Sequence, residues 1–162
     1  MKGLELTLRA LHHGERSLAD DLLRVAERHG AEHEVRHIAT DLARWSQEHT
    51  RRLADIAGHY GLDLSGPRSR PPGLVATLRE KAGEAVGRRP EPALLLLHDL
   101  RELHLSAAGN SLYWEMLAQA AQASRDRRLL ELAADCHPQT LRQMRWTDTL
   151  VKQLSAQALT SV

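Results

Sequence analysis

The sequence contains no phenylalanine, and only three tryptophans and two tyrosines among its 162 residues. β-Branched residues are also sparse, and the apolar fraction of 42% comes mainly from leucine and alanine. Leucine, alanine, arginine, glutamate and glutamine favour helices, whereas aromatic and β-branched residues favour strands. This composition therefore predicts an all-α fold, and the length is that of a single domain spanning residues 1–162.

Three further absences narrow the expected function. The single cysteine, Cys136, excludes an internal disulfide framework. The formal net charge of +1 gives no strong field to attract nucleic acid or an anionic membrane, so neither is an expected partner. The chain has no long apolar run and carries Glu5 in its first helical turns, so we expect neither a transmembrane span nor a signal peptide. These features together predict a soluble cytoplasmic protein.

Four long stretches have the three-and-four-residue apolar spacing of amphipathic helices. The predicted helices span residues 2–29, 32–60, 92–124 and 125–158. The intervening residues 61–91 are rich in proline and glycine, with a short amphipathic helix expected at about residues 74–86. This order predicts an up-down-down-up four-helix bundle whose two helical hairpins are joined by a long crossover.

Each predicted helix has one ionisable residue on or near its apolar stripe, and these are Glu15, His49, His104 and His137. Glu15 and His49 are separated by 34 residues across one hairpin, and His104 and His137 by 33 across the other. Each pair therefore joins positions at similar depths in neighbouring helices, so the four side chains could meet at mid-bundle. A carboxylate and imidazoles are ligands for zinc, iron, copper or nickel, so the pattern indicates a candidate metal site.

Each of the four residues also has a structural interpretation. Glu15 could be a protonated or ion-paired core acid, and a lone His49 on an apolar face is more often a hydrogen-bonded core histidine. His104 could lie at the edge of its stripe and reach water. His137 directly precedes Pro138, and it could bond the backbone carbonyl that a proline inside a helix leaves without a donor.

The helix order and the positions of these residues resemble the ferritin-like superfamily, which includes rubrerythrins, bacterioferritins and DNA-protecting miniferritins. The resemblance covers nearly the whole chain. It implies a di-iron site made of a Glu on helix one and Glu-x-x-His on helix two, with the set repeated on helices three and four. Glu15 and His49 match two of these ligands, and His137 stands at a glutamate position. Ser46 and Ala107 stand where the family has further glutamates.

Those two substitutions bear on the expected activity. A di-iron centre needs bridging carboxylates to hold both ions close, so we expect no ferroxidase or peroxidase activity of the usual kind. We expect instead a homodimeric binding or structural protein. The alternative is a metalloprotein that binds one iron or zinc ion on Glu15, His49 and His137, with His104 as a fourth ligand, in an iron or oxidative-stress role.

Other features of the sequence favour surface or packing roles. Residues 94–97 are four consecutive leucines, which make the start of helix three apolar on every side and indicate a surface for a protein partner. His33 and His37 have a spacing that can chelate a metal, but they point away from the apolar stripe, so solvated surface is favoured. Cys136 is expected to be a small buried hydrophobe.

Overall fold

The computed structural model describes residues 2–64 and 91–161, and within them the chain forms four helices and no strand. The helices are α1 (Lys2–Arg28), α2 (His33–His59), α3 (Pro92–Ser124) and α4 (Arg127–Thr160). The predicted all-α fold is confirmed, and each helix begins and ends within two residues of its expected bounds. The short helix expected at residues 74–86 lies outside the described residues.

Local signals set the helix ends. Pro92 occupies the first turn of α3, where a missing N–H leaves no helical hydrogen bond unmade. Gly61 follows α2 with a φ of 71°, a left-handed conformation that favours glycine. The tight turn between α3 and α4 combines a left-handed Arg125 with an N-cap at Asp126, whose side chain accepts the Leu129 N–H at 3.1 Å.

The helices form a ring in which α1 and α4 each pack against both α2 and α3. Short turns make α1 and α2, and likewise α3 and α4, antiparallel neighbours. Between α1 and α3, the guanidinium of Arg28 bonds Asp99 near the start of α3, while Glu15 accepts from Trp114 further along it. Residue numbers therefore rise in one helix as they fall in the other, so α1 and α3 are also antiparallel.

Contacts at two levels likewise show the direction of α2 relative to α4. Gln143 donates to the backbone oxygen of Leu42 at 3.0 Å, whereas the Tyr60 hydroxyl donates to Asp126 at the other end of the pair. These two helices are antiparallel as well, so every neighbouring pair in the ring is antiparallel.

The core consists of two apolar clusters separated by buried polar side chains. The cluster towards the α1–α2 turn has Leu22, Leu42 and Leu100 among its members, and the other has Leu11 and Leu53. Every helix contributes to the layer between the clusters. We call this set the polar layer, and it comprises Glu15, Ser46, His49, Asn110, Thr140, Gln143 and Thr147, all at most 3% exposed.

The buried faces of α3 and α4 differ in part from the expected stripes. On α3 His104 lies at the edge of the buried face, because it is only partly buried whereas Leu103 and Asn110 are buried. On α4 Cys136 is buried as expected, at 1% exposure, while the adjacent His137 is only partly buried. Because α3 is apolar on all sides, its periodicity does not fix which face meets the core.

Candidate functional site

Glu15 lies at the centre of the polar layer and is fully buried. Its Oε1 accepts the indole N–H of Trp114 at 3.0 Å, and its Oε2 accepts the Nδ1–H of His49 at 3.2 Å. The rings of His49 and Trp114 meet edge to face, with centroids 5.7 Å apart and planes at 80°. Three helices thus supply one network in which both carboxylate oxygens already have donors from the protein.

His49 is held in its charged form by the groups around it. Its second nitrogen, Nε2, lies 2.7 Å from the Oε1 of Gln139. Both ring nitrogens face oxygen acceptors, so both donate, which requires the imidazolium. Burial by itself lowers the pKa of His49, but hydrogen bonds and charge from Cys136 and Glu15 outweigh it and raise the pKa to about 10. The geometry of the network is that of a buried imidazolium facing a carboxylate.

Ser46 stands where the ferritin-like resemblance has a glutamate, and it too is fully buried. Its hydroxyl accepts from Nε2 of Gln143 at 2.9 Å, and the same amide donates to the Leu42 carbonyl at 3.0 Å. The long Gln143 side chain thus reaches from α4 across to the backbone of α2. Since it bonds both groups, this half of the polar layer ties α2 to α4.

The two other predicted ligands have different partners. His104 is partly buried, and its Nδ1 lies 2.8 Å from Thr147 Oγ1 and 3.2 Å from the Met144 carbonyl oxygen. His137 has Nε2 at 2.9 Å from Ser111 Oγ and Nδ1 at 3.8 Å from the Glu115 carboxylate. Each of these contacts joins α3 to α4.

Of the four predicted metal ligands, the structure brings only Glu15 and His49 into contact with each other. Within residues 2–64 and 91–161, no three His, Cys, Asp or Glu side chains are grouped so that they could hold a metal ion. The site that also includes His104 and His137 therefore stays a prediction.

A glycine in α1 allows the polar layer to form beside α3. A Cβ on Gly14 would overlap the side-chain oxygen of Asn110, so glycine here leaves the space that the buried Asn110 side chain occupies. Asn110 is 3% exposed, and its Nδ2 has no hydrogen-bond partner among the described residues. Sequence reasoning missed this pair, because a mid-helix asparagine reads as a surface residue.

A second buried polar cluster joins the C-terminal end of α1 to the start of α3, and it was not predicted from the sequence. Asp99 is 8% exposed and accepts from Arg28 at 3.2 Å. His29, itself 6% exposed, places Nε2 at 2.7 Å from the same carboxylate. The sequence does contain one indication that Asp99 is buried, because it directly precedes Leu100 on the predicted apolar stripe of α3. This cluster joins the end of α1 to the start of α3.

Among the described residues, no helix is both long enough and apolar enough to cross a membrane. Comparison of the chain with protein-family models, with curated proteins and with solved structures found no match.

Proposed function

We propose that this chain is a non-catalytic helical bundle that works through its surface, as a homodimeric binding or structural protein. The main support is the state of Glu15, whose two oxygens accept from Trp114 and His49 inside the bundle. A metal ion at this carboxylate would have to displace those donors and remove a proton from an imidazolium. The network instead has the form of a buried ion pair that fixes how the helices pack.

We also propose the ferritin-like arrangement and a cytoplasmic location. The antiparallel packing of every neighbouring helix pair supports the up-down-down-up order. A ferritin-like protein without bridging carboxylates would keep the architecture and lose the di-iron chemistry, which fits Ser46 and Ala107 at family glutamate positions. The single cysteine, unpaired and buried, suits a reducing compartment.

One observation supports a second candidate, a protein that binds a single transition-metal ion. The Glu15 Oε2 and His49 Nδ1 atoms are 3.2 Å apart. Two ligands of one zinc ion, each at about 2.0–2.2 Å from it, can be separated by a similar distance. In that case His49 loses its Nδ1 proton, and side chains such as His137 must move to complete the coordination.

Thermal unfolding with and without added metal separates the two candidates. For the structural protein, His49→Ala lowers the stability, and zinc, iron or copper leaves the Tm of the wild type unchanged. The matched control is His37→Ala, which removes an exposed histidine from the same helix and should unfold like the wild type. A metal that raises the Tm of the wild type and of His37→Ala, but not of His49→Ala, would establish the metalloprotein instead.

A further inference from the structure

Helix α3 exposes a row of large apolar side chains to solvent. Leu105, Leu112 and Met116 are 51%, 63% and 53% exposed. Their spacings of seven and four residues put them on one side of the helix, with Gly109 between them. We call these four residues the α3 outer face. An apolar row of this kind on a soluble surface marks a contact site.

Charge is nearly absent from this part of the chain. Glu115 is the only Asp, Glu, Lys or Arg among residues 103–124, although such residues make up 27% of the whole sequence. The outer side of α2 is the opposite case, because Arg51 there bonds both Glu48 and Asp55. A helix that is apolar all round is ordinarily covered on all sides.

Gly109 lies in the middle of the face, and no contact among residues 2–64 and 91–161 requires a glycine there. A Cβ at this position would meet no atom within 4 Å, unlike a Cβ at Gly14. Glycine inside a helix costs about 1 kcal/mol relative to alanine. A glycine on an exposed apolar face lets another backbone approach closely.

We propose that the α3 outer face is the contact between two copies of this chain, with the two α3 helices antiparallel about a two-fold axis near Gly109. This inference rests on the proposed homodimer and names its surface. A two-fold contact joins the same patch on both copies, so the patch must complement itself. An axis near residues 108 and 109 satisfies this for the leucines, because it sets Leu105 opposite the partner's Leu112 and Leu112 opposite the partner's Leu105.

The few charges near the face favour the same arrangement. Arg101 and Glu115 have side chains that are 66% and 56% exposed. They are 14 residues apart, close to four full turns, so they lie on the same flank of α3. The same antiparallel pair, centred between residues 108 and 109, sets Arg101 within one residue of the position opposite the partner's Glu115 on that flank, and does so twice. A parallel two-fold pair would set each residue level with its own copy, so Arg101 and the partner's Glu115 would be about four turns apart.

The first test is sedimentation equilibrium of the full chain. We expect a wild-type dimer, and at least about a hundredfold weaker association for Leu112→Asp, as for a central interface residue. The matched control is Leu159→Asp, because Leu159 is 65% exposed but lies on α4. Circular dichroism of each variant checks that the helices are retained, and Leu105→Asp repeats the test at a second position.

Charge reversal then tests the orientation. We expect Arg101→Glu and Glu115→Arg each to weaken the dimer by about tenfold, because each places like charges together twice. The double variant should restore the affinity of the wild type. A dimer that neither Leu112→Asp nor Leu105→Asp weakens would overturn the α3 contact while leaving the homodimer in place. A monomeric wild type would overturn both, and single reversals without effect would overturn the antiparallel register.

Discussion

Replacing Glu15 with glutamine should reverse the way in which the stability of this protein depends on pH. In the wild type, the pKa of His49 is raised from 6.5 to about 10 in the folded state. The folded protein therefore binds this proton more tightly than the unfolded chain does. The resulting stability is fully present below about pH 6.5 and is lost as the pH rises towards 10.

In Glu15→Gln the network can be satisfied only by a neutral imidazole. The new amide oxygen accepts from Trp114, the amide nitrogen donates to His49 Nδ1, and His49 Nε2–H still donates to Gln139. Both ring nitrogens are bonded to groups other than Cys136, so once the carboxylate is gone, burial outweighs the contribution of Cys136 and lowers the pKa of His49. The free energy of unfolding of the variant should therefore fall as the pH drops below about 6.5, and hold steady above it.

Two independent considerations give the size of the effect. Each unit of a pKa shift corresponds to about 1.4 kcal/mol, so a rise from 6.5 to about 10 represents several kcal/mol. Removing one partner of a buried ion pair costs about 3–5 kcal/mol. We therefore expect the free energy of unfolding of the wild type to fall by on the order of 3–5 kcal/mol, relative to that of Glu15→Gln, as the pH rises from 6.5 to about 10.

Urea unfolding of chelator-treated protein, followed by circular dichroism from about pH 5 to about pH 10, measures this difference. The control is Glu5→Gln, which removes an exposed carboxylate that pairs with Arg9 on the same helix. It should follow the wild-type profile within about 1 kcal/mol. If Glu15→Gln kept the wild-type slope throughout, His49 would not be charged by Glu15, and the ion-pair reasoning would be refuted.

Three further substitutions test the packing around the polar layer by chemical unfolding. Gly14→Ala should destabilise the protein by about 1–3 kcal/mol, because the new methyl group displaces the Asn110 side chain. Its control, Gly58→Ala, adds a methyl group with nothing within 4 Å and should stabilise the protein by up to about 1 kcal/mol. Equal effects of the two substitutions would contradict the overlap between a Cβ at residue 14 and Asn110. Trp114→Phe keeps a ring and removes the donor to the buried carboxylate, so it should cost about 1–3 kcal/mol, and a neutral result would dismiss that bond. Asp99→Ala should lower the free energy of unfolding by about 2–5 kcal/mol, since it removes the acceptor that the buried His29 and the adjacent Arg28 share. A loss below about 0.5 kcal/mol would show that this cluster does not stabilise the end of the bundle.

The sequence predicted α1 best. Its expected stripe ran from Leu4 through Glu15 to Val25, and all of its residues are buried except Leu4, which is partly buried. Prediction succeeded there because apolar residues recur on one side only, so the periodicity identifies the buried face. The contact between Glu15 and His49 followed from the same logic, because a short turn places their helices side by side.

The rest of the site depends on contacts that no local pattern records. Gln143 is 2% exposed, yet nothing in its neighbourhood along the chain shows that it reaches Ser46 and the Leu42 carbonyl. Asn110 interrupts the apolar stripe of α3, which therefore appeared to run through His104. Gln143 can be buried because groups on α2 accept from its amide nitrogen, and only the tertiary structure identifies those partners.

The central claim is that the Glu15–His49 network is structural and that the protein acts through its surface. Elemental mass spectrometry of untagged protein, purified without chelator and offered iron, zinc and copper in turn, tests it most directly. If the network is structural, the wild type holds no metal at a stoichiometric level, and neither does Glu15→Ala. A metal bound tightly at about one ion per chain by the wild type, and lost in Glu15→Ala and His49→Ala, would contradict the account and establish a mononuclear metalloprotein.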